Sequence, residues 1–211
     1  AVSCLPRCIA SVQPLYRSSL RVEHLVVDGD SNDGSVAYLH QAHRQGLISR
    51  LVSEPDAGIY HAMNKAIHLA RGRILVFINA DDEICPSAVP VCCAPILSGR
   101  YQYAVASALC ICGKKRKLLQ PRPEMTLWRQ PYSHQAMYCS RSLLQRMNGF
   151  DAVRFPIGAD TDLMRRLYVA HVPCAIVPAV AAHFYAGGVS SRPETIIFRK
   201  MSPRRWTAFS I

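Results

Sequence analysis

The sequence predicts an α/β fold, a mostly parallel Rossmann-like sheet flanked by helices, from three observations. Segments with a two-residue or wholly apolar pattern alternate with segments of 3.6-residue period. The run Leu75-Val76-Phe77-Ile78 has no polar residue on either side of the pleat, as expected of a strand buried on both faces of a parallel sheet. It stops on Asn79-Ala80-Asp81-Asp82, and in open α/β sheets ligands sit just beyond the carboxyl ends of the strands.

An amphipathic piece through Leu5, Cys8, Ile9 and Val12 leads to a strand over 24–27, which closes on the polar turn Asp28-Gly29-Asp30-Ser31-Asn32-Asp33-Gly34. A helix over 35–45 and a short strand over 48–52 come next. The clearest helix places Ile59, Ala62, Met63, Ala66, Ile67 and Ala70 on one stripe, with Tyr60, His61, Asn64, Lys65 and His68 turned outward. Pro86 opens a helix running to Gly99, and 103–111 reads as a strand followed by a basic hairpin or loop over 114–123. Beyond it, 136–139 is strand-like, 140–147 is a short helix closed by Asn148-Gly149, and 160–168 is amphipathic. No repeat or low-complexity linker divides the chain, so one domain is expected. Folds of this type open on a buried strand, yet a helix comes first here. The opening strand is therefore expected to be missing, or supplied by another segment.

At 211 residues, half hydrophobic and 18% charged, the composition is that of a globular protein. No apolar stretch reaches the roughly 18 residues that span a bilayer. The longest, 172–182, is interrupted by Pro173 and Pro178. No charged-then-apolar secretory layout opens the sequence, so a cytoplasmic location is expected. The net charge of +11 suits nucleic acid, an anionic membrane, phosphorylated substrates or merely a solvated basic surface. It concentrates in Lys114-Lys115-Arg116-Lys117 and in a tail with Arg199-Lys200 and Arg204-Arg205-Trp206. Cations beside a Trp fit a bilayer interface. Nucleic acid is not an expected partner, because no helix-turn-helix, zinc-knuckle or aromatic RNA platform accompanies the charge. The nine cysteines are odd in number and form no paired C-x-x-C units, so they read as small buried hydrophobes in a reducing compartment.

Adjacent carboxylates at a strand end need a positive neighbour, and a hard divalent cation shared with substrate phosphates is the natural one. That points to a site for a metal-bound nucleoside diphosphate. The turn after Asp28 superficially matches a calcium loop, but Asp33 occupies the glycine position and Leu39 the final acid. What remains is a carboxylate at a strand end able to accept bonds from a base or ribose, or else a polar turn. Around 53–60, Glu54 and Asp56 serve either a ligand or the helix dipole, and Lys65 suits a diphosphate near that helix N-terminus. Asp160 is either a helix cap or a general base, and spacing leaves both open. His134, Gln135 and His183 are lone polar residues beside apolar runs.

Taken together, these segments resemble inverting family 2 glycosyltransferases of the GT-A (nucleotide-diphospho-sugar transferase) fold, in particular bacterial members of polysaccharide and lipopolysaccharide biosynthesis. The matching blocks are VEHLVVDGDSNDGS, SEPDAGIYHAMNKAI, RGRILVFINADDEI, SHQAMYCSRSLLQRMNGFD, ADTDLMRRL and FYAGGVSS, in family order over 22–191. The resemblance implies one domain over 1–211, with a nucleotide-binding half at 22–110, an acceptor half at 111–191 and a basic tail at 192–211. It implies donor contacts from Asp28, Asp30, Asp56, Tyr60, Asn64, Lys65, Asn79 and Asp81. Asn79-Ala80-Asp81 stands as the D-x-D-type element for Mg²⁺ or Mn²⁺, with Asp81 the chief ligand and Asp82 and His183 beside it. Asp160 matches the catalytic base, and His134, Gln135 and Asp162 a second tier toward the acceptor. Asn79 replaces the first acid of the pattern, and His61 stands where relatives often carry an acid. The expected reaction is inverting, metal-assisted transfer of a sugar from a nucleoside-diphosphate sugar to a glycan or lipid-linked acceptor. A nucleotidyltransferase acting on sugar phosphates and a non-catalytic truncated remnant are the alternatives. The expected place is the cytoplasm, at the inner face of the cell membrane through peripheral contact by the tail.

Overall fold

The computed structural model describes residues 2–187, and the alternating pattern is realised there as eight strands and six helices. The strands are β1 (Leu25–Asp28), β2 (Arg50–Ser53), β3 (Ile74–Leu75), β4 (Glu83–Ile84), β5 (Tyr103–Cys112), β6 (Lys115–Leu119), β7 (Met137–Ser140) and β8 (Cys174–Tyr185). The helices are α1 (Leu5–Val12), α2 (Ser35–Arg44), α3 (Ile59–Leu69), α4 (Ala88–Leu97), α5 (Arg141–Arg146) and α6 (Ala159–Val169). The basic tail, and the part of FYAGGVSS beyond Gly187, lie outside the described residues. Among the described residues no helix is long and apolar enough to cross a membrane.

β1 and β2 form a parallel pair of their own. The other strands make one sheet in the order β3-β7-β5-β8-β4, with β6 folded back on β5. The α/β class is as expected, and the sheet is mixed. Parallel pairing is confined to β1–β2 and β5–β8, while the pairs involving β3, β4, β6 and β7 are antiparallel. β8, which the sequence did not reveal as a strand, is the neighbour on which both β5 and β4 depend. Pro178 disguised it. In the structure that residue falls where the β5–β8 register shifts between the Val105–Ile176 and Ser107–Val180 pairs, a place where a missing N–H is tolerated.

The apolar run before the acidic turn is the main departure. Ladder pairing covers only Ile74 and Leu75, against Ser140 and Cys139, and every residue from 74 to 81 is part-buried rather than enclosed. Ile74, Val76 and Ile78 pack on a core built from α4, β5 and β8. Leu75 and Phe77 pack on a second core that joins α3, α5 and α6. Each side of the pleat is apolar because each meets a different core, not because sheet covers both. A third cluster seats Leu5 and Ile9 of α1 against Leu39, Ala42 and Ile48.

The stripe of α3 is also turned relative to expectation. Tyr60, Met63 and Ile67 are buried, whereas Ile59 is 47% exposed. Tyr60 goes inward because its hydroxyl finds a partner there, which is the usual condition for burying a tyrosine. One turn later Asn64 clamps the start of the 150s segment, donating to the Phe150 carbonyl at 2.8 Å and accepting from the Phe150 amide at 2.9 Å. Those bonds pass directly beside Gly149, whose φ of 59° and lack of a β-carbon permit the approach.

Candidate active site

Asp160 stands at the second residue of α6, behind Gly158, whose φ of 91° turns the chain into the helix. Gly158 holds the N-cap position, so Asp160 is not the cap, and its carboxylate is directed at four donors. Oδ1 accepts from the Tyr60 hydroxyl at 2.9 Å and the Thr161 amide at 2.8 Å. Oδ2 accepts from Gln130 Nε2 at 3.1 Å and faces His134 Nδ1 at 3.1 Å. Burial alone would push this carboxyl up. The bond to His134 and its charge, helped by Tyr60 and Thr161, hold it below the ordinary value, so it is ionised at neutral pH. The far nitrogen of His134, Nε2, lies 3.5 Å from Asn79 Oδ1. The imidazole thus lies between α6 and the acidic turn, and Tyr60 of α3 meets the same Asp160 carboxylate.

The acidic turn divides its two carboxylates between different tasks. Asp82 is fully buried and accepts from Gln135 Nε2 at 2.6 Å and from the Tyr185 amide at 2.9 Å. Its expected role as a metal ligand is corrected here: both oxygens are committed, and the residue ties the turn to β8. Gln135 is accordingly a buried strut, held further by the Ser133 hydroxyl, and does not face an acceptor. Asp81 is part-buried, and among the described residues its carboxylate engages no hydrogen bond or ion pair. Its backbone is pinned instead, because Arg7 of α1 donates to the Asp81 carbonyl at 2.7 Å. Arg7 also pairs with Glu83 at 2.8 Å and lies 3.6 Å from the centre of the Tyr185 ring. His183 pairs with Glu83 across the β4–β8 ladder, its Nδ1 3.6 Å from Glu83 Oε2. Among the described residues no three His, Cys, Asp or Glu side chains converge on a metal position, so the expected Asp81–Asp82–His183 set is not assembled. A single uncommitted carboxylate still fits Mg²⁺ or Mn²⁺, ions that take one or two protein oxygens and fill the rest from water and phosphate.

A second acidic cluster closes β1. Asp28 accepts from the Ser31 amide at 3.0 Å, the Ser31 hydroxyl at 2.7 Å and the Ser53 hydroxyl at 3.1 Å. Burial works against its charge, but those bonds outweigh it and lower the pKa. Asp30 follows, exposed, with a φ of 64°. Asp56 lies next to Gly29, where an added β-carbon would come within 3.2 Å of the Asp56 Cβ. One Asp56 oxygen, Oδ2, is buried without a partner. Lys65, expected beside a diphosphate, instead spends its charge on Glu54 at 2.8 Å and Asp56 Oδ1 at 3.2 Å. Two more expectations are corrected by bonds already described or nearby. Asn64 is the Phe150 clamp rather than a donor ligand. Asp162 holds Arg166 at 2.7 Å, and Arg166 in turn caps the carbonyls of Met147 and Gly149. Tyr60 belongs to the site by positioning Asp160 rather than by lying open to a donor. Gln130 and Arg7 escaped the sequence reading, since neither sits in a pattern that distinguishes it from any surface Gln or Arg.

The fold is that of the GT-A class. It superposes on S. aureus TarS (residues 1–349, in complex with UDP-GlcNAc) with a TM-score of 0.67 over 86% of this chain, at 13% identity. The mannosyltransferase PcManGT of Pyrobaculum calidifontis, solved with GDP-Man and Mn²⁺, gives 0.65 over 90% at 19% identity. The chain belongs to glycosyl transferase family 2, whose model matches residues 2–157. The uncharacterized glycosyltransferase Rv1514c of Mycobacterium tuberculosis (strain H37Rv) is 32% identical over 200 residues, which is 90% of this chain and 73% of that one. The chain spans 56% of the TarS chain and 55% of the PcManGT chain.

Proposed function

We propose that this chain moves a sugar from a nucleoside-diphosphate sugar to a glycan or lipid-linked acceptor, inverting the anomeric carbon with the assistance of Mg²⁺ or Mn²⁺. The observation that carries the reading is the ionised, enclosed carboxylate of Asp160, with the His134 ring between it and Asn79, two residues from the uncommitted Asp81. A base on one side and a phosphate-holding acid on the other is what in-line displacement requires. Asp28 and Asp56, with its unpartnered oxygen, are the donor-side acceptors for N–H or O–H groups of a nucleoside. A bound divalent ion would supply Lewis-acid stabilisation of the departing diphosphate, held by Asp81. The neighbours' ligands, UDP-GlcNAc and GDP-Man with Mn²⁺, support a donor of this class. We retain 22–110 as the donor half and 111–191 as the acceptor half.

Calorimetry with UDP-glucose, UDP-GlcNAc and GDP-mannose, each with Mn²⁺, tests the assignment. One donor is expected to bind in a Mn²⁺-dependent way and to hydrolyse slowly. Asp81→Ala is expected to weaken that binding at least about tenfold, roughly 1.4 kcal/mol. Unchanged affinity would reject Asp81 as the ligand, and silence across the panel would favour the non-catalytic alternative.

The acceptor class leads us to place the protein at the inner face of the cell membrane, in polysaccharide or lipopolysaccharide assembly. The exposed residues Lys114 to Lys117 at the β5–β6 hairpin, together with the basic tail, support peripheral contact there. Co-sedimentation with vesicles is expected to rise with phosphatidylglycerol content and to fall as salt screens the charge. Binding indifferent to both would remove the membrane contact.

A further inference from the structure

We propose that the loop over 122–131 is the acceptor-recognition element: Gln130 holds on Asp160 the place that the acceptor hydroxyl takes during reaction, and Trp128 meets the sugar ring beyond it. The inference rests on the transferase reading above and names what the open side of that same site recognises.

Asp160 is only 7% exposed, and Tyr60, Thr161, Gln130 and His134 fill the roughly four lone-pair positions of its carboxylate. A hydroxyl that is to be deprotonated must itself donate to that carboxylate, so one of these groups has to yield. Three are costly to move. Thr161 donates from the backbone of α6 itself. The Tyr60 phenol is buried and also accepts from the Gly158 amide at 3.3 Å. His134 stands on a short turn that the buried Gln135 anchors to Asp82. Any of these, once displaced, would be left unpaired inside the protein. Gln130 differs. It follows Leu127, Trp128 and Arg129, all exposed, so its amide can turn outward and bond to water. An acceptor O–H arriving at Oδ2 then replaces one donor by another, and the carboxylate stays fully satisfied.

The same loop is held in shape while one large side chain is left uncovered. Its neck is closed by the Arg122 amide donating to the Pro131 carbonyl at 2.7 Å, and the Met125 carbonyl accepts the amides of Trp128 and Arg129 at 2.9 and 3.0 Å. Thr126 is buried, and Arg165 of α6 reaches its carbonyl at 3.4 Å. Trp128, its backbone fixed in this way, is 69% exposed. A fixed indole offers a flat apolar face with a wet N–H at its edge, which matches the C–H face and hydroxyl rim of a sugar ring. The Cα atoms of Trp128 and Gln130 are at most about 7 Å apart, so the indole stands no more than a few sugar units from the base. A bilayer is the poorer occupant. Only Leu127 adds exposed apolar area here, among the exposed Arg122, Glu124 and Arg129, and interfacial binding scales with buried apolar area.

The test uses the whole chain and hydrolysis of whichever panel donor binds, with water as the acceptor. Gln130→Ala opens Oδ2 to water and is expected to raise the hydrolysis kcat about 2- to 10-fold, the worth of one net hydrogen bond, with KM for the donor within about twofold. Should Ala disturb the loop, Gln130→Met keeps the length without the donor and is expected to give the same rise. A residue that merely props Asp160 would do the opposite, so hydrolysis that falls or stays level in both variants overturns the placeholder role. Trp206→Phe leaves Trp128 the only tryptophan. With nucleoside diphosphate and Mn²⁺ present, its emission is expected to shift with one of cellobiose, lactose and mannobiose, and to ignore vesicles of phosphatidylcholine and phosphatidylglycerol. A shift with vesicles alone, or silence with every disaccharide, overturns the role of Trp128. If Asp160→Asn abolishes hydrolysis while the Gln130 variants fail to raise it, the transferase reading stands and this inference falls. If no panel donor is hydrolysed, both fall.

Discussion

Asp160→Asn should abolish measurable transfer, a loss of two to four orders of magnitude in kcat, while donor affinity stays within about threefold. The substitution keeps the shape of the side chain and removes its charge; the Asn carbonyl oxygen still accepts from Tyr60 and Thr161, while its NH2 group cannot accept from Gln130 Nε2. What disappears is the negative group opposite His134 and the carboxylate base itself. Donor affinity should survive because the acids assigned to the donor, Asp28, Asp56 and Asp81, are not among the partners of Asp160. Isothermal titration with the donor, alongside single-turnover rates, separates the two effects. Retained turnover would take Asp160 out of the reaction. A parallel collapse of donor binding would make it part of the donor pocket instead.

Asp82→Ala is expected to be the most damaging change to the scaffold. It strands the buried Gln135 amide and the part-buried Tyr185 backbone N–H. Each orphaned donor costs about 1–3 kcal/mol, so the two together cost about 4 kcal/mol. For a chain of this size that corresponds to a fall in Tm of roughly 8–16 °C. Burial raises the Asp82 carboxyl, so it works against folding as pH climbs from the unfolded carboxylate range through its folded value. Part of the deficit should therefore shrink at higher pH, because the parent loses stability there and the variant has nothing to ionise. Thermal melts at several pH values check both the size and the trend. A Tm unchanged within a degree or two would mean that the turn is held by other bonds, chiefly those of Arg7.

The periodic elements could be read from the sequence because periodicity records which face is apolar. α2, α3, α5, α6 and β5 all lie within a few residues of where their patterns put them. The acids at 28 and 160 stand out in the sequence because each lies at the end or the start of an element, and Asp81 because it follows an apolar run. The partners could not. Tyr60 and Asp160 lie 100 residues apart, and nothing local to Tyr60 distinguishes an outward phenol from one that turns in to meet a carboxylate. The same applies to Asp82, where two adjacent acids look alike until Gln135 and Tyr185 claim one of them. Gln130 carries no pattern, and Pro178 hid a strand by interrupting an apolar run that continues on either side of it.

The bonds that shape the acidic turn have an order of formation as well as a geometry. Arg7 reaches the Asp81 carbonyl across 74 residues, and the Tyr185 amide reaches Asp82 across 103. Contacts of such high contact order are made only after the intervening loops have closed. The turn should accordingly be among the last parts of the chain to acquire its native shape during folding. A partly folded intermediate could then possess most of its helices while still lacking a competent donor pocket.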